Sequence, residues 1–149
     1  MMRRTAPAGA LALAALALAG CGTGSDSATV RTTTPAEFVE AVRQLVQPAE
    51  RMGVVATAAL DESGPQPQAV EVDGLVDDVG REVREFRALR PGDEALRMEQ
   101  ARLLQVMEPV VSRVRAVRAI LRSESRAGLR DATTQLLDAL GEVPSAARS

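Results

Sequence analysis

The sequence predicts an all-α fold, an antiparallel four-helix bundle with kinks at Pro48 and Pro109. Three observations predict it: apolar residues recur at spacings of three and four across residues 34–143, the loops between such stretches are short, and strand-like alternation is absent. The chain accordingly reads as four segments. Residues 1–20 form a signal peptide, 21–33 a flexible tether, 34–143 the bundle and 144–149 a disordered tail.

The leader carries Arg3 and Arg4, then an apolar stretch from about Ala8 to Ala19 with no acid in it, which is a secretory layout. The stretch is shorter than the roughly 20 apolar residues a membrane span needs, and Pro7 and Gly9 weaken its start. Thr5-Ala6-Pro7 lacks the bulky apolar residues that follow a twin-arginine pair, so general export is expected. At its end stands Leu18-Ala19-Gly20-Cys21. Small residues at 19 and 20 let an extended backbone enter a peptidase, and the Cys21 thiol is the nucleophile that accepts an acyl group.

This tetrapeptide resembles the lipobox of bacterial lipoproteins. The resemblance implies cleavage between Gly20 and Cys21, a diacylglyceryl group on Cys21, and a place on the extracytoplasmic face of the cell membrane. Two acyl chains hold a protein on a bilayer far more firmly than one. A lone cysteine can also be a buried thiol, a redox sensor or half of an intermolecular disulfide, but here it opens a Gly-Thr-Gly-Ser-Asp-Ser run that no core encloses.

Residues 22–33 are small and polar and lack helical period, so they read as a tether of typical reach about 20 Å. The run at 30–34 has strand-like composition without a partner strand in the chain.

The first helix is announced by Thr34-Pro35-Ala36-Glu37, a capping box with proline at the first helical position. Phe38, Val42, Leu45, Ala49, Met52, Ala56 and Ala59 then mark one apolar face. Pro48 falls inside it, removing a backbone donor, so a kink is expected rather than an end. A loop at 61–68 leads to a second helix with Val72, Val76, Val79, Val83 and Phe86 inward and Leu75 and Leu89 widening the face. Gly74 and Gly80 each lower its propensity by about 1 kcal/mol.

Arg90-Pro91-Gly92 ends that helix, and Asp93 caps a third carrying Leu96, Leu103, Met107, Val110, Val114, Val117 and Leu121 at heptad spacing, interrupted at Gln100. Pro109 predicts a second kink. A fourth helix is expected from about Ser125 to Leu140, with Leu129, Ala132, Leu136 and Leu140 inward and Gly141 as its stop.

Composition narrows the chemistry. Processing leaves 16 arginines against 20 acids, which does not suggest nucleic-acid binding. The chain has no Lys, His, Asn, Trp or Tyr, and with Cys21 acylated no free thiol remains. Metal sites built on nitrogen or sulfur are thereby excluded, no cofactor motif is present, and the common general base is missing. Ser63 and Ser112 lie in no nucleophile-elbow pattern.

Two charged constellations remain. Asp61 and Glu62 in the loop, with Glu71, Asp73, Asp77 and Asp78 at the start of the second helix, have the residue type for acid–base or calcium chemistry; acids at a helix start also simply offset its dipole. Arg113, Arg115, Arg118, Arg122, Arg126 and Arg130 face one acid, Glu124, and can meet anionic lipid or an acidic partner, although they spread around the helix. Arg81, Arg84, Arg87 and Arg90 align at three-residue spacing with Glu82 and Glu85 interleaved, the pattern of a solvated surface.

The segment 84–139, with Phe86-Arg87-Ala88-Leu89-Arg90-Pro91, is loosely similar to small helical lipoproteins of high-GC Gram-positive bacteria. The paired cysteines common among those are absent, and the likeness implies a fold and no mechanism. The expectation is a non-enzymatic interaction module that meets an envelope protein or itself. The alternative is a carrier or sensor holding an apolar or lipidic ligand between kinked helices near Pro48 and Pro109, and a carboxylate hydrolase ranks third.

Overall fold

Helix α1, Pro35–Ala58, starts where the Thr34 hydroxyl accepts from the Glu37 amide while the Glu37 carboxylate accepts from the Thr34 amide at 2.8 Å. The capping box therefore satisfies donors that the first turn leaves without helical acceptors. This is a computed structural model that describes residues 31–144, so the signal, lipidation and cleavage readings at 1–30 and the tail beyond 144 lie outside the described residues. The chain divides after Val30, and all four helices belong to the unit that begins at Arg31.

Three more helices complete an all-α bundle: α2 at Ala69–Ala88, α3 at Glu94–Leu121 and α4 at Leu129–Gly141. α1 packs on α2, α3 and α4, and α3 packs on α2 and α4, whereas α2 and α4 do not touch. α1 and α3 run through Pro48 and Pro109 without interruption. The beginning of α1 lies beside the end of α2, where the rings of Phe38 and Phe86 meet in a tilted pair with centroids 5.5 Å apart at 50°.

The core is built on residues that the spacing marks, although Leu96 and Leu121 of α3 are only half-buried. All seven α1 positions from Phe38 to Ala59 are buried, joined by Val46 and Gly53. α2 buries Val72, Leu75, Val79 and Phe86, with Val76, Val83 and Leu89 half-buried against them. α3 buries Leu103, Met107, Val110, Val114 and Val117, and α4 buries Leu129, Ala132, Leu136 and Leu140. Thr133 is the one buried polar residue of the described chain, and its hydroxyl donates to the Leu129 carbonyl at 2.7 Å. That bond removes the cost of burying the hydroxyl.

One expectation needs correction. The fourth helix starts four residues later than Ser125, because Gly128 adopts φ +81° and the chain at 123–128 turns instead. Its last helical residue is Gly141, with Glu142 at the C-cap. The strand-like run at 30–34 meets no partner strand among the described residues, but Thr33 makes one isolated bridge. Thr33 donates its amide to the Arg90 carbonyl at 2.9 Å, accepts on its hydroxyl from the Arg90 amide at 3.1 Å, and pairs in parallel with Pro91. Arg31, the first described residue, also makes a contact, its guanidinium meeting the Glu37 carboxylate.

Candidate interaction groove

Helices α2 and α3 enclose between them an open groove of about 580 Å³. Its floor is apolar: Val83 from α2 with Leu104, Met107 and Val111 from α3. These residues belong to the inward stripes or border them, so the groove is the place where the edge of the core meets solvent. Gly80 contributes room, because a side chain there would meet only the Arg84 guanidinium, 3.4 Å from an ideal Cβ. The rims are basic, with Arg84 and Arg87 on α2 and Arg115 on α3. Glu108 and Ser112 complete the α3 side.

The electrostatics of this groove follow from where the neighbouring acids go. Glu82 and Glu85 are interleaved with the α2 arginines, yet both turn to Arg81, which also meets Asp78 at 2.7 Å. Hydrogen bonds to Glu82 and then Asp78 push the Arg81 guanidinium above its ordinary pKa. Asp73 is taken at the far end of the same helix pair by Arg118 at 2.7 Å and Arg122 at 3.1 Å. The Arg118 hydrogen bond, ahead of the charges of Arg118 and Arg122, holds the Asp73 carboxyl below the usual range. Arg84, Arg87 and Arg115 consequently form no ion pair with any described residue.

The six-arginine run of α3, the loop after it and the start of α4 therefore breaks up. Arg118 and Arg122 hold Asp73, and Arg126 donates to the Ala59 carbonyl at 3.3 Å. Arg115 faces the α2–α3 groove, while Arg113 lines a separate groove beside Pro109 and Arg130 one beside Ala59. The acidic constellation disperses as well. Asp61 accepts from the Ser63 hydroxyl at 2.6 Å and the Ser63 amide at 3.0 Å, which lower its pKa, and so it closes a turn. Among the described residues, no three carboxylates gather as a metal ion requires.

The prolines end in different surroundings. Pro48 is buried in the core of α1, and Pro109 lines an open groove of about 500 Å³ with Val106, Ala139 and the charged Arg113, Asp138 and Glu142. That lining mixes apolar and charged side chains. No helix among the described residues is long and apolar enough to cross a membrane. Compared with known proteins, the chain matches no family model, no curated protein and no solved structure.

Sequence reasoning singled out arginines helix by helix and so missed the groove. The available signal was Arg84 and Arg87, one and two turns from Gly80, but only the register of α2 against α3 brings Arg115 to the opposite rim.

Proposed function

We propose that this chain is a membrane-anchored extracytoplasmic lipoprotein whose helical bundle is a non-catalytic protein-interaction module. The observation that carries the interaction reading is the α2–α3 groove, an apolar floor between rims whose three arginines have no acid of their own. Arg31, Arg43, Arg81, Arg102, Arg118 and Arg122 each meet an acid, whereas the three arginines of this groove do not. Charged rims around an apolar strip steer encounter and fix register. Anchoring is supported by Leu18-Ala19-Gly20-Cys21 after an apolar leader.

Two measurements test this reading. Mass spectrometry of the mature amino terminus should find a diacylated Cys21, and an unmodified thiol or another start site would remove the anchor. A photo-cross-linking residue at Ser112 on the groove wall should yield a discrete adduct in intact membranes. Absence of any adduct from Ser112 and from positions around the other grooves would remove the interaction module.

A further inference from the structure

We infer that the α2–α3 groove receives an acidic amphipathic helix of a partner protein, two to three turns long. The inference rests on the interaction-module reading and names the chemistry of its partner. Size comes first. The groove runs from Gly80 to Arg87 on α2 and from Leu104 to Arg115 on α3. At 1.5 Å per residue these are stretches of about 10 and 16 Å, so the occupant contacts them through two to three helical turns.

Backbone chemistry decides the secondary structure of the occupant. Both walls are interior stretches of continuous helices, Ala69–Ala88 and Glu94–Leu121, whose amides and carbonyls are already paired within the helix. They offer no backbone donors or acceptors to an extended peptide, so a strand laid there gains no backbone hydrogen bonds from the walls. A helix satisfies its own backbone and presents side chains alone, as helices do in apolar grooves. A single acyl chain fits poorly because the groove lies open along its length and leaves much of the chain wet. A flat bilayer surface meets the rims but does not fill the space above Gly80.

Charge decides the composition. Arg84 and Arg87 stand on one rim and Arg115 on the other, against a single acid, Glu108. An occupant whose apolar stripe enters over Val83, Leu104, Met107 and Val111 therefore carries carboxylates on both flanks of that stripe. The arginines are exposed in the free chain, so they contribute encounter rate and selectivity more than affinity. The apolar stripe supplies the rest.

The test uses the full chain in phosphatidylcholine nanodiscs and a fluorescein-labelled helical peptide of about 14 residues, with leucines at i, i+3, i+4 and i+7 flanked by glutamates. Fluorescence anisotropy should show saturable binding that weakens about tenfold in the Arg84→Gln/Arg87→Gln/Arg115→Gln variant, the size three exposed ion pairs supply together. Gly80→Leu fills the groove while favouring the helix, so it should abolish binding in a chain that melts no lower than the parent. A peptide with the same residues and scattered leucines should not bind.

Unchanged affinity in both variants would overturn the proposal, and so would equal binding of the scattered peptide. Two alternative occupants would also overturn it. One is shown if the arginines govern co-sedimentation with phosphatidylglycerol vesicles while the peptide does not bind. The other is shown if the chain alone sediments as a dimer that the same substitutions dissolve. Cross-links from Ser112 to a partner that lacks an acidic amphipathic helix would remove this inference and leave the interaction module standing. No cross-links at all would remove both.

Discussion

Asp73 and Arg118 join the start of α2 to the last turns of α3 through a 2.7 Å hydrogen bond between Oδ1 and Nε. Arg122 takes the other carboxylate oxygen at 3.1 Å. The Asp73 pKa is lowered in the fold, so its contribution to stability is present above the ordinary aspartate pKa and is lost as pH falls through the folded value. The loss accordingly sets in below about pH 4. Carboxyl-carbon NMR titration should place Asp73 below the ordinary aspartate range. Arg118→Gln should return it toward the ordinary range and flatten the acid limb of the stability curve. A titration that Arg118→Gln leaves in place would show that the pair does not form in solution.

Three glycines should respond to alanine in different ways. At Gly74 a Cβ meets nothing within 4 Å, so Gly74→Ala should stabilise by up to about 1 kcal/mol through propensity alone. At Gly53 the Cβ comes 3.2 Å from the Leu137 Cδ2, and Leu137 is 47% exposed and able to turn away. Gly53→Ala should therefore gain less than Gly74→Ala. Gly128 sits at φ +81°, so Gly128→Ala should cost about 1 kcal/mol or more. Urea denaturation orders the three, and any other order contradicts the local geometry.

The cap of α1 can be isolated because Thr34 is exposed and carries no core contact. Removing its hydroxyl in Thr34→Ala leaves the Glu37 amide without its acceptor and should cost about 1 kcal/mol. Thr34→Ser keeps the acceptor and should stay close to the parent. Equal losses in both would point to the methyl group instead of the cap.

Leu136 and Leu137 are neighbours on α4 with opposite surroundings, fully buried and 47% exposed. Leu136→Ala leaves a cavity among core side chains and should cost about 2–5 kcal/mol, a large part of the stability of a small domain. Leu137→Ala should cost about 1 kcal/mol or less. The contrast in unfolding midpoint checks the rotational setting of α4 directly.

The helices were legible because burial on one face imposes its period on the sequence, and every inward position named for α1 is buried in the fold. Gln100 shows where such reading stops. It breaks the α3 heptad, and its amide donates to the carbonyls of Phe86 at 2.7 Å and Leu89 at 3.4 Å at the end of α2. The Phe86 carbonyl has only the 3.3 Å bond from the Leu89 amide at the end of α2, so a polar residue there serves the neighbouring helix and is invisible from its own. Thr133 escaped for a related reason, since its hydroxyl is satisfied four residues back and it then packs like an apolar residue. The start of α4 was misplaced because Ser125, Arg126 and Ala127 permit helix, and only the left-handed Gly128 forbids it.

The α2–α3 groove was illegible for a deeper reason. Whether Glu82 and Glu85 neutralise Arg84 and Arg87 or turn to Arg81 is a choice among rotamers that spacing does not encode. Nor does spacing say which α3 arginine arrives across from Gly80. Such facts belong to the register of two helices.

The pairing of Thr33 with Arg90 also has a mechanical meaning. Any tension arriving along the chain from upstream of Arg31 loads the Thr33–Arg90 hydrogen bonds and the Glu37 clasp before it reaches the first turn of α1. The strain is then shared with the turn between α2 and α3, some 57 residues away in sequence, so the bundle is gripped by two of its parts at once instead of being peeled from its first helix.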